Sequence, residues 1–215
     1  MNQIATPPKM INKPSKRMRI DLQLVADLVS PNTRVLDVGC GDGTLLSYLM
    51  GFKKVDARGL EISMSRVRSA VSQGLSVIQG NLETDLKDYP DGAFDYAILS
   101  QTLQATVHPQ EVLGDLLRIA KRAIVSLPNF GHWRVRWALL VGGRMPMTSN
   151  LPDQWYNTPN IHLCTILDFV DLCKAMNIHI EKGFALSADG LKQNFSATGW
   201  FANLFSEQSV FVLTR

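Results

Sequence analysis

The segment Val35-Leu36-Asp37-Val38-Gly39-Cys40-Gly41-Asp42-Gly43-Thr44-Leu45 narrows what this chain can fold into more than any other stretch. A hydrophobic run short enough for one strand passes directly into three alternating glycines, and a helical pattern follows. Glycines at such a junction admit positive φ and lack the Cβ that would hold a ligand off the backbone, while the first turn of the helix leaves N–H groups unpaired. A carboxylate, Glu61, closes the next strand-like run 22 residues beyond Gly39. In an open α/β sheet an acid at that place accepts hydrogen bonds from both ribose hydroxyls. Together these features predict a nucleoside pocket at the carboxyl ends of the first two strands. The spacing departs from the dinucleotide fingerprint Gly-x-Gly-x-x-Gly, because Gly43 comes one place early and Thr44 holds the sixth position. Asp37 also suits a cationic amino-acid group better than an anionic pyrophosphate.

The surrounding pattern repeats strand, loop and helix. Ile20, Leu24, Val25 and Leu28 recur at helical spacing before Pro31. Residues 34–38, 57–60, 75–79, 94–100 and 122–127 read as strands, the last ended by Pro128. Residues 45–50, 63–72 and 109–120 read as helices, with Gly51 a stop, Ser63 an N-cap and Pro109 in a first turn. Such alternation implies parallel pairing through right-handed crossovers, hence a doubly wound α/β fold. Further on, residues 132–141 read as a helix ended by Gly142 and Gly143, and 166–176 as a helix capped by Thr165. Residues 178–186 and 209–214 look like two strands that pair antiparallel at one sheet edge. The expectation is a mostly parallel seven-stranded sheet with an antiparallel edge strand. Residues 144–161 have no clear period, and a connection of that length suits a lid or binding loop.

Composition bounds the classes. A chain of 215 residues with 46% hydrophobic and 19% charged residues can form one sizeable core. The expected organisation is a flexible basic leader over residues 1–17 and one domain over 18–215. No run approaches the roughly 20 apolar residues of a membrane-spanning helix, and Pro7, Pro8 and Pro14 stand where a signal peptide would be apolar. The three cysteines, Cys40, Cys164 and Cys173, form no C-x-x-C pair, so neither a disulfide framework nor a metal cage is expected and a reducing cytoplasm is the natural compartment. Cys173 falls on an apolar helix face with Phe169 and Leu172, as a core residue would. The net charge of +3 is concentrated at the start of the sequence: Lys9, Lys13, Lys16, Arg17 and Arg19 precede the first acid, Asp21, and the remaining 17 basic and 19 acidic residues leave a net −2. A basic tail on a slightly acidic body argues against a nucleic-acid binder.

The glycine segment resembles the first motif of class I S-adenosylmethionine-dependent methyltransferases, with Asp37, Gly39, Gly41 and Gly43 on its characteristic positions and Glu61 on the second motif. The resemblance implies a Rossmann-like sheet, a glycine loop holding the methionine part of the cofactor, and an acid holding its ribose. Cys40 in the loop and Ile62 after Glu61 would line the same site. Asn81, with Leu82, stands where the family commonly has an acid near the adenine, and an amide can still bond the adenine amine. Residues 94–99 match the fourth motif, which brings Ser100 and Gln101 to the pocket mouth, with Gln104 facing substrate. His162 to Leu167 resembles a segment that many small-molecule methyltransferases carry after an active-site cover. The Asp/Asn-Pro-Pro-aromatic motif of nucleic-acid base methylases is missing after the fourth strand, as is the Pro-Cys nucleophile of cytosine C5 methylation. Transfer from a sulfonium needs alignment more than a fixed dyad, and no catalytic base is named. His132, Tyr156 and His162 are acid–base types near the mouth, more often found orienting structure or binding a partner than in catalysis.

Longer strings are more specific: residues 98–104, Pro128-Asn129-Phe130-Gly131-His132-Trp133-Arg134-Val135-Arg136, Gly143-Arg144-Met145-Pro146 and residues 154–165. They resemble the MetW family of bacterial methionine biosynthesis, over about residues 18–186. This resemblance implies a role beside the homoserine O-acyltransferase MetX, either as a methyltransferase acting on a small molecule or as a non-catalytic regulatory subunit. Within residues 130–162, Trp133, Arg134, Trp155 and Tyr156 are residue types enriched at interface hot spots, which suits either a partner surface or a cover over the pocket. No Gly-x-Ser-x-Gly elbow is present, so acyl transfer by this chain itself is not expected.

Overall fold

The computed structural model describes residues 18–148, 153–187, 191–193 and 196–215, so the expected leader 1–17 lies outside the described residues. The chain runs α1 (Ile20–Leu28), β1 (Arg34–Val38), α2 (Thr44–Lys53), β2 (Asp56–Glu61), α3 (Met64–Ser72), β3 (Val77–Gln79), α4 (Leu82–Asp85), β4 (Phe94–Ser100), α5 (Pro109–Ile119), β5 (Ala120–Pro128), α6 (Trp133–Gly142), α7 (Ile166–Ala175), β6 (His179–Leu186), α8 (Trp200–Phe205) and β7 (Gln208–Thr214). The seven strands form one sheet in the order β3-β2-β1-β4-β5-β7-β6. β1 to β5 are parallel, and β7 pairs antiparallel with both β5 and β6. The seven-stranded, mostly parallel α/β sheet read from the sequence is therefore present, with its antiparallel pairing at one edge. β7 is inserted between β5 and the outermost strand β6.

Alternation along the central strands sends side chains to two cores. Leu36 and Val38 face α5 and α7 through Leu113, Leu116 and Phe169, while Val35 faces α1 and α2 through Val25, Leu46 and Leu49. Burial on both faces is what a parallel sheet wrapped by helices requires. Cys173 is fully buried in the first core, as its position beside Phe169 predicts.

Several boundaries differ from the sequence reading. α2 runs past Gly51 to Lys53 and ends at Lys54, which itself takes the left-handed cap conformation at φ 52°. Here Lys53 Nζ donates to the carbonyls of Ala26 and Val29 at the end of α1, and that anchorage carries the helix beyond the glycine. β3 begins at Val77 rather than residue 75, because Leu75 leaves the strand line to fill the core beneath Gly43. β5 starts two residues earlier, at Ala120. Gly142 is helical and Gly143 alone supplies the left-handed cap of α6. Ser63 occupies the N-cap position of α3 without capping through its side chain, and the Glu61 carboxylate takes its N–H instead. Thr165 does cap α7: Asp168 N–H donates to Thr165 Oγ1 at 3.2 Å and Thr165 N–H donates to Asp168 Oδ2 at 2.8 Å, a reciprocal box. Thr165→Ala is expected to lower stability by about 1 kcal/mol in urea unfolding, and Thr165→Ser to keep nearly all of it.

Candidate functional site

The carboxyl ends of β1, β2 and β4 open onto two adjacent hollows of about 330 Å³ and about 380 Å³ that share Gly39, Arg66, Gln101 and Thr102. Strand order explains the location: β2 and β3 lie to one side of β1 and β4 to the other, so the crossovers part above β1 and leave a crevice.

The glycine loop forms its floor. Gly43 has φ +79° and is the N-cap of α2, and a Cβ there would lie 2.3 Å from Leu75 Cδ1, so nothing larger fits. Gly41, at φ +60°, has open space where its Cβ would be, which leaves the backbone bare toward the crevice. The loop is fixed from beneath. Gly39 N–H and Cys40 N–H donate to the Leu60 carbonyl at 2.7 and 3.2 Å, and Gly41 N–H donates to Glu61 Oε2 at 2.8 Å. Glu61 Oε1 accepts from Ser63 N–H at 2.9 Å, so one buried carboxylate ties the glycine loop to the start of α3 and keeps lone pairs for a ligand.

The larger hollow has a nucleoside character. Glu61, Ile62, Asn81 and Leu82 line it, and Ile62 is exposed although apolar, as a face open to a ring would be. The Asn81 Oδ1 accepts from Glu83 N–H and caps α4, so its amide nitrogen is the part left for a ligand.

The smaller hollow is polar and charged. Asp37, Gly39, Cys40, Gly41, Ser100 and Gln101 line it. Asp37 is 3% exposed and has no hydrogen-bond partner among the described residues. Burial lifts its carboxyl from 3.8 to about 7, opposed by the Arg19 guanidinium and reinforced by Glu61. Burial also pushes the Cys40 thiol up, with Asp37 and Glu61 adding, so it stays protonated and unreactive. Gln101 has φ +50°, unusual for a side chain of its size, and its N–H donates to the Ser126 carbonyl at 2.9 Å while its Nε2 reaches Asp21 Oδ2 at 3.4 Å.

The remaining residues singled out from the sequence lie elsewhere. Gln104 is buried beneath the crevice, its Nε2 donating to the Gln101 carbonyl while its Oε1 has no partner among the described residues. The Gln104 carbonyl accepts from Ile161 N–H and His162 N–H at 3.0 and 2.9 Å, which stitches the end of segment 130–162 to the crevice and brings Pro159 and Asn160 into the larger hollow. The His162 side chain itself is exposed. His132 is buried at the start of α6, with burial lowering its pKa, and its Nδ1 accepts from Arg134 N–H. Trp133 and Arg134 stack at 5.5 Å outside, and Arg134 pairs with Glu207 at 3.5 Å. Trp155 and Tyr156, edge to face at 5.6 Å, line a separate groove with Met145 and Pro146.

Sequence reasoning missed Arg19, Asp21, Leu22 and Arg66, while Thr102 lines both hollows within the segment 100–104 expected at the mouth. One signal was available: Asp21 stands three, four and seven residues before Leu24, Val25 and Leu28, so an acid sits on the apolar stripe of α1. Among the described residues, no His, Tyr or Lys lines either hollow. Also among them, no helix is long and apolar enough to cross a membrane.

The family described as "Methionine biosynthesis protein MetW" matches residues 19–213. A bifunctional methionine biosynthesis protein MetXA/MetW of Rhodopirellula baltica is 31% identical over 174 residues, covering 77% of this chain and 28% of that protein. An ajmaline N-methyltransferase of Rauvolfia serpentina is 29% identical over 94 residues, covering 40% of this chain and 32% of that protein. The chain thus spans less than a third of the length of either curated relative. Among solved structures, the [4+2]-cyclase SpnF superposes with a TM-score of 0.64 at 18% identity, covering 90% of this chain and 80% of that one. A S-adenosylmethionine-dependent methyltransferase of Thermotoga maritima, described as a possible histamine N-methyltransferase, gives 0.62 at 18% identity, covering 90% and 86%. At these identities the likeness is one of fold: the chain shares with them a Rossmann-like, mostly parallel seven-stranded sheet wrapped by helices.

Proposed function

We propose, from the premise that this chain belongs to the MetW family of methionine biosynthesis proteins, that it binds S-adenosylmethionine in the β1–β2–β4 crevice and acts as a partner subunit of the homoserine O-acyltransferase MetX. The observation that carries the first half is the pairing of two carboxylates with a bare glycine loop. Asp37 is buried beside the loop without a hydrogen-bond partner among the described residues, and Glu61 is anchored on two backbone N–H groups with lone pairs to spare. An ammonium and a ribose diol are the groups such carboxylates bind. In this reading Asp37 holds the ammonium, the absence of a side chain at Gly41 lets the amino-acid tail lie close against the loop, Glu61 takes the ribose hydroxyls, and Ile62, Leu82 and the Asn81 amide flank the adenine. When bound, S-adenosylmethionine supplies an electrophilic methyl on a sulfonium. The fold by itself does not name the reaction, since a [4+2]-cyclase shares it.

The partner reading rests on the relative whose name joins MetXA and MetW in one protein. His132, Tyr156 and His162 stand away from the two hollows. One feature favours a second reading, methyl transfer to a small molecule: Gln101 is held in a strained conformation at the mouth, and strain of this kind gathers at reacting sites. A chain of this class, with no membrane-spanning helix among the described residues, is read as working in the cytoplasm.

The test is calorimetry with S-adenosylmethionine together with co-purification against MetX, repeated with Trp155→Ala. Trp155 is 73% exposed, edge-on to Tyr156, and outside both hollows. Its truncation is expected to weaken complex formation by about 2 kcal/mol or more, a hot-spot loss, with cofactor affinity unchanged. Undiminished co-elution on size exclusion would remove Trp155 from the interface. Methyl transfer to a pathway metabolite by the isolated protein would favour the second reading.

A further inference from the structure

We propose that Arg19 recognises the carboxylate of the ligand's amino-acid end, and that the buried Asp21 is the positioning residue that aims it. The inference rests on the S-adenosylmethionine reading and extends it to the one part of the ligand for which the glycine loop and the two acids provide no cation.

The smaller hollow is bounded by charges of both signs. Arg19, just before α1, lines it together with Asp37, close enough for its guanidinium to act electrostatically on that carboxyl. A wall offering a carboxylate and a guanidinium matches a zwitterion, whose ammonium and carboxylate lie on one carbon. Arg19 is held as a fork. Its Nε donates to Asp21 Oδ1 at 3.1 Å, and its Nη2 donates to Asp21 Oδ2 at 2.9 Å and to Ser100 Oγ at 3.1 Å. Three of the five N–H groups are thereby occupied, and the two on Nη1 have no partner among the described residues.

Asp21 explains why the fork stays in place. It is 4% exposed, and the Ser100 hydroxyl and the Gln101 amide both reach its Oδ2 at 3.4 Å. A charge placed on the apolar stripe of a helix is costly unless paired, and here its partner projects into the crevice with its side chain still 53% exposed. An ion pair that merely pinned α1 to the sheet would have no need to leave the guanidinium open to the hollow. The strained backbone of Gln101 belongs to the same network, since it brings that amide to Asp21.

The experiment compares two probes by calorimetry: S-adenosylhomocysteine, which carries the amino-acid end, and 5′-methylthioadenosine, which keeps the nucleoside and thioether without it. In Arg19→Gln the first is expected to bind about tenfold to a hundredfold more weakly, the loss of charge-assisted hydrogen bonds, and the second within twofold of the unaltered protein. Arg19→Gln leaves the buried Asp21 carboxylate without its cation, so its melting temperature is expected to fall, and both titrations are run well below that temperature, where the variant is folded. Asp21→Asn is expected to reproduce the same selective loss, a pattern that a general loosening of α1 would not give. Equal weakening of both probes, or no change in either, overturns the assignment. If the unaltered protein binds neither probe, the S-adenosylmethionine reading falls, and this assignment with it.

Discussion

Asp37→Asn is expected to stabilise the ligand-free protein at pH 8 by up to roughly 4 kcal/mol while weakening S-adenosylmethionine binding about a hundredfold. The first effect follows from a carboxyl held at about 7 in the folded chain and near 3.8 in the unfolded one. Between those values the folded state binds more protons, so the Asp37 contribution to stability falls as pH rises from about 4 to 7, and above 7 the ionised form carries the whole cost, on the order of 4 kcal/mol. Asparagine removes the slope. Urea unfolding at pH 5 and pH 8 measures it: the gap between variant and parent should widen toward pH 8 and close below about pH 4. The second effect is the loss of the anion that an ammonium pairs with, worth about 3 kcal/mol in a desolvated site. Binding should release up to one proton below pH 7, seen as a buffer-dependent heat, and affinity should fall with acidification in that range. A gap that does not change with pH would mean that Asp37 is stably ionised without a ligand.

Glu61→Ala acts through two kinds of bond at once. It deprives Gly41 N–H and Ser63 N–H of their acceptors and removes the group assigned to the ribose. Each unmet buried polar group costs about 1 to 3 kcal/mol, so affinity for S-adenosylmethionine is expected to fall by roughly 5-fold to 150-fold, together with a lower melting temperature. Glu61→Gln keeps one carbonyl acceptor and should fall between. Unchanged affinity in calorimetry would end the ribose assignment.

The fold was legible wherever a short-range pattern carries it. Short aliphatic runs marked β1, β2 and β4, the first closed by Gly39 and the second by Glu61, and Thr165 marked the start of α7. The place of β7 between β5 and β6 was not, because strand order is a matter of pairing between distant residues. α4 and α8 span four and six residues, too short for a helical period to register. The crevice was legible on the side built from one continuous segment and its acid. The other wall comes from the start of α1 and from Arg66 on α3, and only packing on the sheet brings these near Gly39. His132, a titratable residue amid a distinctive string, is the buried cap of α6, a structural role that no short-range pattern separates from a partner contact.

The insertion of β7 sets a temporal order on maturation. β5 and β6 share no ladder without it, so until residues 208–214 leave the ribosome the apolar edge of β5, with Ile124 and Val125, has no neighbour of its own chain on that side. An unsatisfied edge of this kind invites pairing with other chains during synthesis. Removing β7 would therefore open two ladders at once and leave β6 without a neighbouring strand.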